Sequence, residues 1–303
     1  MKSHELSLLH FSLGLRGSVL EKVADIKELK LLANKIRQDV IKSLVQAKSG
    51  HTAGSLGMSD VLTALYYSVM NHDPKNPQWP DRDYFILSNG HICPVLYATL
   101  ANAGYFPVEE LMTLRKLGTR LQGHPHRLAL PGLETSSGPL GSGLSQAAGI
   151  AYGLRMDGKA NYVFCLTGDG EHNEGNLWEG VMFAAKNGLD NLTVILDRNY
   201  IQIDGTTEDV MPLDPVKDKY LAFNWHVIEV DGNDMKKVIS ALSKSKELKS
   251  KPTMVIANNV PGKGVSFIEN DYEWHGKPPT PEQGEIALAE LEQLREMIAQ
   301  GKD

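Results

Sequence analysis

Two polar side chains each follow directly on an apolar run. Asp169 lies in Gly168-Asp169-Gly170, after Tyr162-Val163-Phe164-Cys165-Leu166. Asn199 lies in Asp197-Arg198-Asn199, after Leu192-Thr193-Val194-Ile195-Leu196. The interval between them holds the end of one strand, one helix and the next strand. Both side chains are therefore expected at the carboxyl ends of adjacent parallel strands, where open α/β sheets bind ligands. A carboxylate and an amide oxygen suit a hard cation such as Mg²⁺. Gly168 and Gly170 let the backbone approach a phosphate. A magnesium diphosphate is the expected ligand. Gly-Asp-Gly alone also makes an ordinary turn; the full order of strand, Gly-Asp-Gly, helix, strand and Asn favours the site.

A second glycine-rich loop, Ser137-Gly138-Pro139-Leu140-Gly141-Ser142-Gly143, leads into a helix starting at about Leu144. Backbone N–H groups at such a helix start attract anions. Glycines there also permit close packing, and the residues alone leave both readings open. Four of the ten histidines sit beside glycines in loops: His51, His91, His124 and His275. An accessible imidazole on a tightly turned backbone can donate to sugar hydroxyls or phosphates and move protons near neutral pH. Any one of them alone is better read as a cap or packing residue; four in one context point to a polar substrate pocket. His4, His10, His72 and His226 lack that setting and are expected to be structural or solvated. His126 and His172 fall near the expected pocket without an assigned role. No spacing of Cys and His suggests zinc. Trp178 and Glu179 read as core or interface positions. Glu174 falls near the positive end of the helix after Gly-Asp-Gly, where a carboxylate is stabilised; a contact between subunits is the other reading.

The elements that must position these residues follow from periodicity. Helices are expected over 26–47, from an N-cap at Ser59 to about Met70, over 93–103, over 107–117 and over 143–156. Tyr84 to Leu87 reads as a buried strand. Strand and helix then alternate over 162–167, 174–187, 192–197, 226–230, 234–246 and 253–257, which argues for a parallel sheet with helices on both faces. Thr280 to Gln300 reads as a closing helix. Residues 1–24 lack clear periodicity and are expected to form an arm; residues 25–303 are expected to form one domain. With 303 residues, 42% hydrophobic and 22% charged, the composition is that of a globular α/β chain. A net charge of −6 argues against nucleic acid or an anionic membrane as partner. Without a membrane-length apolar run or a signal-peptide pattern, the cytoplasm is the expected compartment. The two cysteines, Cys93 and Cys165, make no disulfide framework, and Cys165 reads as a buried strand residue.

Taken together these segments resemble transketolase, in the family's order from about residue 30 to 280. The matching segments are Ser49-Gly50-His51 with Leu56-Gly57-Met58, Leu87-Ser88-Asn89-Gly90-His91, Gly123-His124-Pro125 and Gly138 to Gly143. They continue with Gly168-Asp169-Gly170 and Glu174-Gly175, Asn199 with Ile203-Asp204-Gly205, and Trp274-His275-Gly276-Lys277-Pro278. The resemblance implies the thiamine-diphosphate-binding fold and reversible transfer of a two-carbon ketol group from a ketose phosphate to an aldose phosphate. It implies that Asp169, Asn199 and the Ile201 carbonyl hold Mg²⁺, for which Ca²⁺ or Mn²⁺ can substitute. Gly138, Leu140, Gly168 and Gly170 would approach thiamine diphosphate. His91 and His275 would contact the diphosphate or the substrate near the reacting carbon. His51 and His124 would bind substrate oxygens and assist proton transfer. Glu174 would join a subunit-spanning network near the aminopyrimidine.

Transketolases are about twice this length, and their pyrimidine-binding domain has no counterpart in these segments. The resemblance therefore implies the N-terminal subunit of a split transketolase, active with a second chain that carries the pyrimidine-binding domain, as an α₂β₂ assembly. Arg198, and the position of Lys263 in Pro261-Gly262-Lys263-Gly264, depart from the family pattern. The alternatives are a transketolase-like enzyme with a specialised ketose donor, the α subunit of a 2-oxo-acid dehydrogenase, and a non-catalytic cofactor-binding partner subunit. Several imidazoles around a polyol weigh against a decarboxylase.

Overall fold

The computed structural model describes residues 22–302. Most of the expected N-terminal arm, with His4 and His10, lies outside them. In chain order the helices and strands begin with α1 (Ile26–Ala47), α2 (Ala53–Gly57), α3 (Ser59–Ala64), β1 (Tyr84–Leu87), α4 (Cys93–Ala103) and α5 (Ser142–Met156). They continue with β2 (Val163–Gly168), α6 (Gly175–Lys186), β3 (Leu192–Arg198), β4 (Ile201–Gln202), β5 (Gly205–Thr206), α7 (Thr207–Val210) and α8 (Val216–Ala222). The last are β6 (His226–Asp231), α9 (Met235–Glu247), β7 (Thr253–Asn258) and α10 (Pro281–Gln300).

Five strands form one parallel sheet in the order β1-β2-β3-β7-β6. Period-2 alternation divides its side chains between two cores. Phe164 and Leu166 join the core beneath α1, α3, α4 and α9. Val163 and Cys165 join the opposite core beneath α5, α6 and α8. The inner strands β2, β3 and β7 are buried on both faces, as crossover helices require. Register pairs Gly168 with Asp197, so the two polar segments start level at the carboxyl edge.

Local chemistry sets the ends of the long helices. Asp25 caps α1 by accepting from the Lys27 and Glu28 amides at 2.8 and 3.1 Å. Thr280 and Gln283 form a reciprocal capping box on α10. α10 returns across α1, where the buried Asn34 amide donates to the Leu291 carbonyl at 2.8 Å. A buried ion pair between Arg37 and Asp60 fixes α1 to α3.

Two expected elements differ. Ser59 is not an N-cap: helical structure already begins at Ala53, and the Ser59 hydroxyl donates back to the Ser55 carbonyl at 3.1 Å. Such back-bonding by Ser inside a helical run is an alternative to capping. The helix expected over 107–117 shrinks to a 3₁₀ segment, Val108–Thr113. The chain then turns through left-handed backbone at Arg115 and Gly118, with φ of 59° and 81°.

Gly143, at the start of α5, lies against the loop after β1. A Cβ there would meet Ser88 Cβ at 2.4 Å and its backbone Cα at 2.7 Å. Gly149, on the exposed side of the same helix, faces open space. Gly143→Ala is expected to destabilise the protein by about 1–3 kcal/mol through overpacking. Gly149→Ala is expected to stabilise it by roughly 0.5–1 kcal/mol. Denaturant unfolding of both variants measures this, and equal effects would contradict the assignment of the two helix faces.

Candidate active site

Loops at the carboxyl edge of the sheet, together with those carrying His51, His124 and His275, enclose a cavity of about 310 Å³. The loop after β1 supplies Asn89 and His91, the loop after β2 supplies Gly168, Asp169 and Gly170, and the end of β3 leads to Asn199. Gly138 and Leu140 reach the same cavity from the glycine loop before α5, and Ile201 from β4. The Thr52 hydroxyl donates to the Lys277 carbonyl at 2.6 Å, tying the His51 loop to the His275 segment.

Asp169 is 2% exposed. Its Oδ1 accepts from the Gly170 amide and its Oδ2 from the Tyr200 amide, each at 2.7 Å. Arg198 stands 3.4 Å from Oδ2. Burial raises the Asp169 pKa to about 6 despite these donors. Asp197, also lining the cavity, is pushed up to about 7, first by burial and then by the charge of Asp169. Asn199 donates to Asp197 at 2.9 Å, while its Oδ1 accepts from the Ile201 amide at 3.1 Å.

Arg198 turns away from the cavity. It is held by Thr207 at 2.8 Å, Glu208 at 2.6 Å and Asp214 at 3.0 Å, and its guanidinium carbon lies 4.0 Å from the centre of the Tyr200 ring. This departure from the family pattern therefore leaves Asn199 at the cavity, with the guanidinium beside Asp169. Lys263 is 3.8 Å from Glu269 and does not line the cavity.

In the same cavity lining, His51, His91 and His275 form a triangle with ring centres 4.8, 5.3 and 5.5 Å apart. Burial is the largest cause of the lowered pKa of each. His51 falls to about 4, with further lowering from His275, Arg115 and His124. His124 is more exposed; burial and Arg115 lower it too. At neutral pH all four are uncharged imidazoles, each able to donate at one nitrogen and accept at the other.

The remaining histidines are elsewhere. His72 is buried between Tyr105 and the Tyr66 carbonyl, and His226 bonds the Lys249 carbonyl. His172 is buried against the Gly168 carbonyl and Tyr220, and His126 is exposed. Trp178 donates to the His172 carbonyl at 2.9 Å and joins an aromatic cluster with Tyr220 and Phe223. Glu174 does not line the cavity. It is exposed at the N-cap position of α6, its Cβ side packed on Gly141.

Sequence reasoning misses Glu171 and Gln202. Glu171 is 2% exposed and lines the cavity, with a carboxyl pKa raised mainly by burial. A glutamate one residue beyond Gly-Asp-Gly reads as a solvated loop acid, and only the structure reveals its partners. Gln202 also lines the cavity, and no local pattern in the sequence marks it.

The fit to a metal diphosphate rests on what is left unpaired. His51 Nδ1, Asn89 Oδ1 and Gln202 Nε2 belong to residues that line the cavity, are buried and have no hydrogen-bond partner among the described residues. Buried polar groups are rarely left unpaired without a ligand or water to meet them. Two adjacent buried carboxyls with raised pKa values are what a cation would relieve. Among the described residues no three His, Cys, Asp or Glu side chains surround a common metal position. The oxygens that the cavity does offer a cation, from a carboxylate, an amide and a backbone carbonyl, would make a hard oxygen set.

A parallel sheet that presents this acid–amide edge and these unpaired polar atoms to one cavity defines a thiamine-diphosphate-binding domain, as the family match makes explicit. The family described as "Transketolase, thiamine diphosphate binding domain" matches residues 28–292. The chain belongs to the transketolase family. It corresponds to the N-terminal, diphosphate-binding part, which some members carry on a chain of its own.

It is 42% identical to the 6-deoxy-6-sulfo-D-fructose transketolase subunit SqwG of a Clostridium species, over 88% of this chain and 96% of that protein. It is 39% identical to one of the subunits of the apulose-4-phosphate transketolase of Phocaeicola vulgatus, over 90% of this chain and 97% of that protein. Transketolase from Campylobacter jejuni superposes with a TM-score of 0.83 at 31% identity, over 90% of this chain and 43% of that one. The chain thus spans less than half the length of the solved transketolases it matches.

The lowered histidine pKa values carry a pH signature. His51 titrates at about 4 in the folded protein and near its usual 6.5 when unfolded. The unfolded state therefore binds the extra proton below pH 6.5, and the penalty to stability grows until about pH 4. His51→Asn is expected to lose less thermal stability than the unaltered protein between pH 7 and pH 4.5. Parallel melting curves would contradict the depressed value.

Proposed function

We propose that this chain is the diphosphate-binding subunit of a two-chain transketolase that moves a two-carbon ketol group reversibly from a ketose phosphate to an aldose phosphate. The observation that carries this is the cluster of neutral imidazoles that shares one cavity with a hard-oxygen, phosphate-suited sheet edge. Thiamine diphosphate, when bound, supplies the electron sink for carbon–carbon cleavage. The chain's own residues bind, orient and move protons.

In this reading Asp169, Asn199 and the Ile201 carbonyl hold Mg²⁺. The backbone at Gly138, Leu140, Gly168 and Gly170 meets the cofactor. His91 and His275 contact the diphosphate or the substrate near the reacting carbon. His51 and His124 bind substrate hydroxyls, and a neutral imidazole takes up the donor hydroxyl proton. Glu174, exposed at the start of α6, contributes to the network that joins the subunits. The partner is a chain carrying the pyrimidine-binding domain, assembled as α₂β₂.

A specialised ketose donor is the second reading, favoured by the names of the two similar subunits, which specify 6-deoxy-6-sulfo-D-fructose and apulose 4-phosphate. No described helix is long and apolar enough to cross a membrane, and the cytoplasm is the proposed compartment.

The deciding assay is ketol transfer from xylulose 5-phosphate to ribose 5-phosphate with Mg²⁺ and thiamine diphosphate, for this chain alone and mixed with a pyrimidine-domain chain. Activity is expected only in the mixture. Activity of the chain alone would refute the two-chain requirement; a silent but assembled complex that uses another ketose would establish the specialised donor. In the active mixture, chelation is expected to abolish turnover and added Mg²⁺, Ca²⁺ or Mn²⁺ to restore it. His275→Ala is expected to lower kcat by roughly 10²–10⁴-fold, measured under cofactor saturation.

A further inference from the structure

Glu171 sits on the 3₁₀ turn Gly170–Asn173, immediately beyond the Gly-Asp-Gly segment. Its two oxygens serve three separate stretches of chain. Oε1 accepts from the Gly141 amide at 2.7 Å and from the Ser88 hydroxyl, and Oε2 accepts from the Gly168 amide at 3.0 Å. The Ser88 oxygen in turn accepts from the Gly143 amide at 3.1 Å. One buried carboxyl thus links the loop after β1, the glycine loop before α5 and the turn after β2. These are the segments that carry His91, Leu140 and Asp169 into the cavity.

A carboxylate lining a cavity meant for a diphosphate repels the ligand, so its presence there calls for a compensating role. The role visible in the geometry is mechanical. A glycine-rich loop has many backbone states, and its N–H groups serve an anion only when fixed in direction. A carboxylate accepts at both oxygens and can hold two backbone donors and a hydroxyl at once; a carboxamide has a single accepting oxygen.

We propose that Glu171 is a positioning residue that joins these three loops into one preformed cradle for the cofactor diphosphate. The assignment rests on the thiamine-diphosphate reading above. Glu171 does not touch the reacting atoms; it acts through the loops, and so governs cofactor affinity ahead of the chemical step.

The test is calorimetric binding of thiamine diphosphate at saturating Mg²⁺, using the full chain assembled with its pyrimidine-domain partner. Ligand-free thermal stability and kcat at cofactor saturation are measured alongside. Glu171→Gln keeps the side-chain shape but sets an amide nitrogen against one of the backbone donors. It is expected to weaken cofactor binding by about tenfold or more, the scale of lost supporting contacts. The ligand-free melting temperature should stay within a few degrees, and kcat at saturation should change far less than the affinity. Ser88→Ala, which removes a single link, is expected to weaken binding by a smaller factor and serves as the deciding variant if Glu171→Gln fails to fold. Unchanged affinity in a folded Glu171→Gln, or in Ser88→Ala when that variant decides, would overturn the proposal. So would an affinity loss accompanied by an equal loss in kcat at saturation. Failure of the unaltered complex to bind thiamine diphosphate would instead overturn the cofactor reading.

Discussion

Three carboxyl groups, on Asp169, Glu171 and Asp197, are buried at one edge of one sheet, and much of the site is arranged to make that tolerable. Burying an unpaired charge costs several kcal/mol. The chain answers with oriented donors: the Gly170 and Tyr200 amides and Arg198 on Asp169, Asn199 and Asn259 on Asp197, and backbone and hydroxyl donors on Glu171. These donors come from several loops and strand ends, so satisfying the acids fixes the loops. The polar edge thereby acquires the rigidity that packing gives the two apolar cores.

The cavity lining combines two electrostatically unlike kinds of group. Asp169, Asp197 and Asn199 bring oxygens that suit a small cation. His51, His91 and His275 bring imidazoles that burial keeps neutral, helped at His51 and His91 by repulsion from neighbouring rings. Neutral imidazoles offer donors and acceptors to hydroxyl groups without fixing a strong field of their own. Arg198, the described cation beside Asp169, is occupied by Glu208 and Asp214 on its outer side. A divalent ion beside Asp169 would therefore meet a guanidinium whose charge is already largely balanced.

Much of this is legible in the sequence where local rules and global packing agree. The apolar runs ending in Gly-Asp-Gly and Asp-Arg-Asn fit neighbouring strands of a parallel sheet, and β2 and β3 are those strands. α1 and α10 carry recognisable caps, and both lie where periodicity puts them. The four glycine-flanked histidines converge on one cavity. Sequence reasoning fails where a side chain has alternatives that only tertiary contacts decide. Ser59 reads as a cap because its hydroxyl can serve one, but the helical run has already begun at Ala53. Residues 107–117 read as one helix with Pro107 at its first turn, yet only the 3₁₀ segment Val108–Thr113 forms and Leu117 is fully exposed beyond a left-handed residue. Glu171 escapes notice because its value lies in partners from distant segments, Ser88 and Gly141 among them.

The sheet also ends in a particular way. Among the described residues β6 is an outer strand, paired only with β7, and it carries His226, Glu229 and Asp231 among half-covered or exposed positions. Its free rim of amides and carbonyls would otherwise be a template on which another extended chain could add. Charged side chains on that rim oppose such addition. Exposed apolar residues such as Met156 and Met182 lie instead on the helices α5 and α6, so charge guards the strand rim against open-ended stacking into fibrils.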